Sequence, residues 1–554
     1  MIDLVVMMKT YLTRVTPVVS RLFSRGCRTF DRLTGNRNLA IAVLFFLTIG
    51  MGITGNLLKG SADDPSDDGA FYYDAAENLK DGRGFRSDIK QYWLDDWEET
   101  EEEGKIESPY FGIVTYPLFQ SCVLRIDDSL MAIRIANSIL SGLTVVVMFA
   151  LVSKLFDERI AFLSSVLFIF NPLFFIMYTS ILSEAFFLMI FMIPFYVLLR
   201  KDMEEILNRD LIIAGVISTI AFLSRMVGLL VVIGIIVWFL RYREWKKATV
   251  YGAASAISVL PWIIWNRVRM GYFFPFSHIA YTDKWPEAPT TISAGGPSSP
   301  LIALARDLLA FSTDLPSIQL FFILVPFIFI GIVNYSRDRK ISLLIIFSLL
   351  SILFHLKVNY SMRYMIPIVP MLIPLGLRTF LNVVKRIEFR TILDVRISSE
   401  MVFAGFFSFI LIVSALSIGN IILDARDSIS ENHNAEKYEF IAENASADAI
   451  ICSTEPRHAH YFTERQTIIL ATNLDRSWLD EYIGFYNISY IVLEEISKEK
   501  YEDNSFLYGL YEGNETYLLG NHSLELSHEE PGYGNDMLFY RVERLQNDGT
   551  GASC

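Results

Sequence analysis

The chain is poor in charge and in thiols. Of its 554 residues only 20% are Asp, Glu, Lys or Arg, against 52% hydrophobic and 14% aromatic. That balance is too apolar for a soluble protein of this length, whose apolar segments would be shorter and interrupted. Its four cysteines, Cys27, Cys122, Cys452 and Cys554, have no metal-type spacing and read as isolated thiols. A cleavable signal peptide is not expected, because the first apolar run is long, begins late and lacks a small-residue cleavage site. Positive charge is scarce as well: the formal net charge is -13, which argues against nucleic acid as a partner.

What is present is a series of long apolar runs. A bilayer core about 30 Å thick needs roughly 20 apolar residues per helix, and Leu39 to Leu58 meets this without a charge. Further spans are expected at Met131 to Val152, Ile160 to Thr179, Leu182 to Leu199, Leu211 to Leu223, Val227 to Leu240, Ala248 to Trp265, Ile318 to Val333, Ile341 to Leu356, Met365 to Leu381 and Met401 to Leu423. The expected fold is an all-α polytopic membrane protein of about eleven spans, followed by a small α/β domain.

Short cytoplasmic loops collect Lys and Arg. Lys9, Arg14, Arg21, Arg25, Arg28, Arg32 and Arg37 precede the first span, so the N-terminus is expected inside. Every even-numbered connection is then basic, from Lys154 and Arg159 through Arg200, Lys201 and Arg209, Arg241 to Lys247 and Arg337 to Lys340, to Lys385 to Arg396. The domains follow: a basic N-terminus at 1–38, a membrane domain at 39–423 with large outer segments at 59–129 and 266–317, and an outer tail domain at 424–554. The expected location is the plasma membrane. Negative charge concentrates outside, with 16 Asp and Glu against 6 Lys and Arg between Lys59 and Glu107. Five glycosylation sequons, at Asn359, Asn444, Asn487, Asn514 and Asn521, also fall on that side.

In the tail, strand-like runs at Ala449 to Cys452, Thr467 to Ala471, Ser489 to Leu493 and Met537 to Val542 alternate with helix-like stretches at Ala435 to Asn444 and Trp478 to Tyr486. The order suggests a small sheet with crossover helices. The tail has no Gly-rich phosphate loop, metal cluster or nucleophile motif, so it is expected to be accessory or to contact an acceptor.

The first outer segment carries the sharpest chemistry. Phe71, Ala75 and Leu79 recur at helical spacing while Asp74, Glu77, Asn78 and Lys80 face elsewhere, a pattern that predicts an amphipathic helix ending near Gly82 and Gly84. Asp67 and Asp68 stand at its start, either as helix caps or as a general base just outside the lipid. The same two carboxylates suit a hard divalent cation such as Mg or Mn. Charged side chains also stand at the outer ends of spans, at Arg134, Glu184, Arg225, Arg267 and Arg363. Such groups are costly there; an Arg either snorkels to headgroups or binds a lipid phosphate.

Five segments, DDGAFYYDAAENLKDGRGF, SILSEAFFLMIF, AFLSRMVGLLVV, PWIIWNRVRMGYFFPFS and RYMIPIVPML, in this order, resemble the GT-C superfamily of multispanning glycosyltransferases, especially its protein mannosyltransferase and aminoarabinose transferase branch. The resemblance implies transfer of a hexose from a polyprenyl-phosphate donor, with inversion, to a protein, lipid or glycan acceptor at the outer face. It implies Asp68 or Asp67 as catalytic base and Arg225, Arg363 and Arg267 as donor-phosphate ligands. Glu184, Tyr364, Arg134 and Tyr116 would line the pocket, and no cofactor is required. Met226 and Val227 stand where the family often has Pro-Glu after the turn Arg. Two other functions compete. An oligosaccharyltransferase would carry a Trp-Trp-Asp-Tyr-Gly motif, of which SWLDEYIGFY is a distant echo; a flippase or transporter would carry internal repeats and midplane charges.

Overall fold

The computed structural model describes residues 34–60, 65, 67–90, 108–109, 114–270, 316–358, 366–386, 399–431, 434–470, 476–494, 505–511, 516–530 and 537–545. Internal contacts divide the chain into two compact units.

The first unit comprises Met1–Lys59, Arg134–Leu260 and Ser298–Leu423 and is helical. Its helices are α1 (Arg37–Lys59), α4 (Leu130–Leu155), α5 (Glu158–Ile169), α6 (Pro172–Thr179), α7 (Glu184–Leu199), α8 (Asn208–Ser224), α9 (Leu229–Arg241), α10 (Trp245–Met270), α11 (Pro316–Tyr335), α12 (Arg339–Val358), α13 (Val369–Arg386) and α14 (Ser399–Glu431). Each apolar run expected to span lies on one or two of these. Among the described residues five helices are long and apolar enough to cross a membrane: α1, α4, and those over Trp245–Val268, Ile366–Arg386 and Ser399–Arg426. The α5 and α6 pair, bent by 65°, makes a sixth if counted as one span, and Glu184–Leu199, Met226–Arg241 and Leu324–Tyr335 are shorter.

The bend between α5 and α6 has a local cause. Pro172 cannot donate to the preceding turn, and Asn171 caps the new helix by accepting from Phe174 N at 3.1 Å. Phe168 and Phe174 then stack across the break with ring centroids 4.0 Å apart. At one end of this unit the basic connections are tied to acids: Lys201 reaches Asp210 at 2.6 Å, Arg339 reaches Glu204 at 2.6 Å and Lys340 reaches Asp202 at 2.9 Å.

The second unit comprises Gly60–Ile133, Pro261–Pro297 and Asp424–Cys554. The sequence reading set the first outer segment with the membrane helices; the contacts place it with the tail. Helix α2 (Asp67–Lys80) packs on α3 (Thr115–Leu124) and on α16 (Pro456–Thr463). It stops where Gly82 and Gly84 adopt φ of 79° and 86°, a region costly for any residue with a Cβ. Strands β1 (Arg86–Ser87) and β2 (Ile89–Lys90) follow; β1 pairs with β3 (Ser108–Pro109).

β2 joins the tail sheet by parallel pairing with β5 (Gln466–Ile469). The sheet runs β2-β5-β4-β6-β9-β8-β7, with β4 (Ile450–Ser453), β6 (Tyr490–Glu494), β7 (Thr516–Leu518), β8 (His522–Glu530) and β9 (Met537–Arg544). Its β2-β5-β4-β6 half is parallel and its β6-β9-β8-β7 half antiparallel. Helices α15 (Asn434–Asn444), α16, α17 (Arg476–Tyr486) and α18 (Ser505–Tyr511) accompany it. One side of the core gathers Ile450, Cys452, Ile491 and Leu493, and the other Ile451, Val492 and Phe539, the alternation a sheet covered on both faces requires.

Candidate functional site

In the first unit a short turn from Thr179 to Glu184 collects buried polar groups from four helices. Lys59, the last residue of α1, donates its Nζ to Thr179 Oγ1 at 2.7 Å. Asn137 Nδ2 donates to the Ser180 carbonyl at 3.0 Å. Arg225 donates Nη1 to Ser183 Oγ at 2.8 Å and lies 3.0 Å from Glu184 Oε1. Arg225 can reach inward because the chain leaves α8 there in an extended conformation, φ -158°, before the single turn Met226–Gly228. Gly228 lets that turn fold back, since a Cβ there would strike the Ala221 carbonyl. Arg134, one turn before Asn137 on α4, is 2% exposed.

Of the residues singled out from sequence, the structure thus brings Glu184 and Arg225 together as an ion pair, 1% and 7% exposed. Glu184 is a protein partner for a charge whose partner was expected to be lipid phosphate. Lys59, Thr179 and Ser183 were missed; Lys59 reads in sequence as an ordinary flanking Lys, and only the fold shows it buried. Among the described residues around this turn three cations, Lys59, Arg134 and Arg225, are buried together with the carboxylate of Glu184, a gathering of positive charge that favours an anionic ligand.

In the second unit α2 presents acids to the tail. Asp67 opens the helix, and its side chain lies outside the described residues. Asp68 Oδ1 accepts from Arg457 Nη1 at 2.9 Å, and the same guanidinium sits 5.7 Å from the centre of the Phe71 ring, one turn along α2. Asp74 and Asn78, expected to face away from the apolar stripe, are 2% and 1% exposed, because α16 and the turn before β2 cover that face. Asp74 accepts from Ser87 Oγ at 2.6 Å and lies 3.3 Å from His460 Nε2. The tail is therefore joined to the acidic helix by two oppositely charged contacts, neither visible in its own sequence.

The remaining expectations divide. Tyr116, assigned to a pocket, is fully buried on α3 with its ring edge-on to Tyr72 at 5.3 Å, where it holds α2 against α3. Arg267 is exposed near the end of α10, beside Asn266, which is 1% exposed. Arg363 and Tyr364 lie outside the described residues. The metal was expected at Asp67 and Asp68; among the described residues the group able to hold one is Asp74, Asp88 and His460.

Two predictions follow from these contacts. Arg457→Ala removes a charged hydrogen bond and is expected to cost about 1.5–3 kcal/mol, read as a lower thermal midpoint, with Arg457→Lys losing less. Burial of the His460 ring opposes its charge, yet the Asp74 carboxylate and the Arg465 carbonyl outweigh it and hold its pKa up to about 9. A folded pKa above the unfolded 6.5 means that the pair's contribution is complete below about pH 6.5 and lost as pH rises through about 9. In chelator-treated protein the gap in thermal midpoint between wild type and His460→Asn should therefore shrink across that window.

Residues 114–265 match the model of the dolichyl-phosphate-mannose-protein mannosyltransferase family. A search of curated proteins found no match. Among solved structures, ArnT from Cupriavidus metallidurans bound to undecaprenyl phosphate is similar with a TM-score of 0.58 at 10% identity, over 91% of this chain and 97% of that one. The Archaeoglobus fulgidus oligosaccharyltransferase tethered with an acceptor peptide is similar with a TM-score of 0.56 at 12% identity, over 91% of this chain and 74% of that one. The archaeal oligosaccharyltransferase AglB from the same organism, in complex with an inhibitory peptide and a dolichol-phosphate, gives 0.55 at 12% identity, over 92% and 74%. Identities this low establish fold and leave the substrate to be argued from the site. The chain thus shares the fold of these solved membrane glycosyltransferases, and its residues 114–265 match the model of the dolichyl-phosphate-mannose-protein mannosyltransferase family.

Proposed function

We propose that the protein moves a hexose from a polyprenyl monophosphate to an acceptor hydroxyl at the outer face of the membrane, with inversion at the anomeric carbon. The observation that carries this reading is the cluster of buried cations beside the Thr179–Glu184 turn. Lys59, Arg134 and Arg225 sit at helix ends rich in apolar residues, where an anion on a lipid tail can reach them and a soluble sugar nucleotide has no reason to. The ArnT to which the chain is similar was solved with undecaprenyl phosphate, which fits.

In this reading a carboxylate deprotonates the acceptor hydroxyl, the oxygen attacks the anomeric carbon, and the bond to the phosphate oxygen breaks. Negative charge grows on the departing phosphate, where preorganised cations lower the barrier by about 3–4 kcal/mol for a well-placed donor. Asp68 is bound to Arg457 by a charged hydrogen bond, which engages it in holding the helix to the tail. We therefore assign the base to Asp67 and give Asp68 the task of fixing the first turn of α2. The N-terminus is taken as cytoplasmic and the second unit as extracytoplasmic, from the basic connections.

The likeness to AglB favours a second reading, transfer of a whole glycan by an oligosaccharyltransferase-like reaction. Purified protein in detergent, given radiolabelled mannose or glucose on polyprenyl monophosphate and, separately, an oligosaccharide on a polyprenyl pyrophosphate, separates the two. Release of polyprenyl phosphate from the monosaccharide donor supports the first reading. Consumption of the oligosaccharide donor alone supports the second.

A further inference from the structure

We propose that Asp74, Asn78, Asp88 and His460 form a site for one divalent transition-metal ion, of the zinc or manganese class, that locks the first outer segment onto the tail. The ligand atoms of Asp74, Asp88 and His460 lie within 4.8 Å of one another. His460 Nδ1 is 2.7 Å from the Arg465 carbonyl, so the proton of the neutral ring belongs on Nδ1 and the Nε2 lone pair is turned to Asp74 Oδ1, 3.3 Å away. This is the arrangement of a metal-binding histidine, whose other ring nitrogen donates to a carbonyl or carboxylate. Two lone pairs facing at that distance need a proton or a cation between them.

Asn78 decides between the two. Its side chain is 1% exposed and aimed into the cluster, with Nδ2 3.0 Å from Asp74 Oδ1 and 3.5 Å from Asp88 Oδ2. Its Oδ1 is buried and has no hydrogen-bond partner among the described residues. A proton on His460 Nε2 satisfies the contact with Asp74 and leaves that oxygen orphaned. Turning the amide over, a change that keeps its shape, brings Oδ1 to the carboxylates, where only a cation makes it welcome. One ion then accepts the lone pairs of Nε2 and Oδ1 together, in exchange for the 3.0 Å hydrogen bond from the amide to the Asp74 main-chain carbonyl.

The surroundings fit such an ion. Ser87 Oγ, at 2.6 Å from Asp74 Oδ2, and Arg83 Nη1, at 2.9 Å from Asp88 Oδ2, hold the two carboxylates in place. Two carboxylates with a neutral imidazole balance a double positive charge. One nitrogen with three oxygens suits zinc or manganese better than calcium, which takes six to eight oxygens, or magnesium, which keeps its waters. Three ligands come from the stretch 74–88 and the fourth from α16, so the ion would reinforce a junction already made by the Asp68–Arg457 contact and the β2–β5 pairing.

The test uses the full chain in detergent, stripped with a chelator, dialysed, and given zinc or manganese alone. Metal content per chain and thermal midpoint are measured. The expected result is one tightly held ion and a raised midpoint in wild type, both lost in His460→Gln. Asn78→Asp should keep or tighten binding, and Asn78→Leu should weaken it roughly tenfold or more. The proposal is overturned if wild type holds no stoichiometric ion and its midpoint does not move, or if His460→Gln binds as well as wild type. Should His460→Gln fail to fold, the wild-type measurement and the Asn78 pair decide it; equal binding by both Asn78 variants rejects the four-ligand site.

Discussion

Replacement of Asp67 by Asn is expected to lower kcat by roughly 10²–10⁴-fold, the usual contribution of a positioned general base, with little change in the KM for the lipid donor. The substitution keeps the size of the side chain and removes its capacity to take a proton, so the loss isolates the proton acceptor. Asp68→Asn should do less to kcat. It replaces a charged contact with Arg457 by a neutral one and loosens the first turn, a defect that the thermal midpoint reports. Single-turnover release of polyprenyl phosphate measures the chemical step without product dissociation. A larger loss in Asp68→Asn than in Asp67→Asn would reverse the two roles, and full activity in both would remove the first outer segment from the chemistry.

The second large effect is on stability. Glu184→Gln removes the only negative charge of a pair in which Glu184 is 1% and Arg225 7% exposed, and breaking a buried pair from one side costs about 3–5 kcal/mol. That is a large fraction of the stability of an ordinary domain. Removing both charges, as in Glu184→Leu with Arg225→Met, should recover most of the midpoint, because the desolvation penalty disappears with the charges. The double variant should nevertheless bind the lipid donor poorly, since one of three cations is gone. If Glu184→Gln unfolds at the wild-type midpoint, the pair contributes no more than a surface contact.

How legible these features were in the sequence depended on the range of the interaction. The apolar runs gave the helices of the first unit because each is a local property, and Gly82 and Gly84 marked the end of α2 because positive φ is too. The tail strands at Ile450–Ser453, Gln466–Ile469, Tyr490–Glu494 and Met537–Arg544 were readable from apolar runs. Strands β7 and β8 were not: the polar and charged side chains of His522–Glu530 break any apolar run, and its partners lie on β7 and β9.

The site was half legible. Glu184 and Arg225 could be singled out because charge is costly at the end of a span, yet their pairing depends on an extended residue after α8 that no pattern encodes. Asp74 was read as lying off the apolar stripe of an amphipathic helix. Its burial comes from α16, nearly four hundred residues away in the chain, and the same distance hid Arg457 and His460. For that reason the tail, taken from sequence as accessory, is here joined to the acidic helix.

The measurement that bears most directly on the central claim is equilibrium binding of a polyprenyl monophosphate by the purified protein, which requires neither the sugar nor the acceptor to be known. Wild type should bind it, and Lys59→Gln and Arg134→Gln should each weaken binding about tenfold, the equivalent of roughly 1.4 kcal/mol for one phosphate contact, while a neutral polyprenol binds no variant differently from wild type. Equal binding of the phosphate by wild type and both variants would contradict the assignment of the buried cations to the donor.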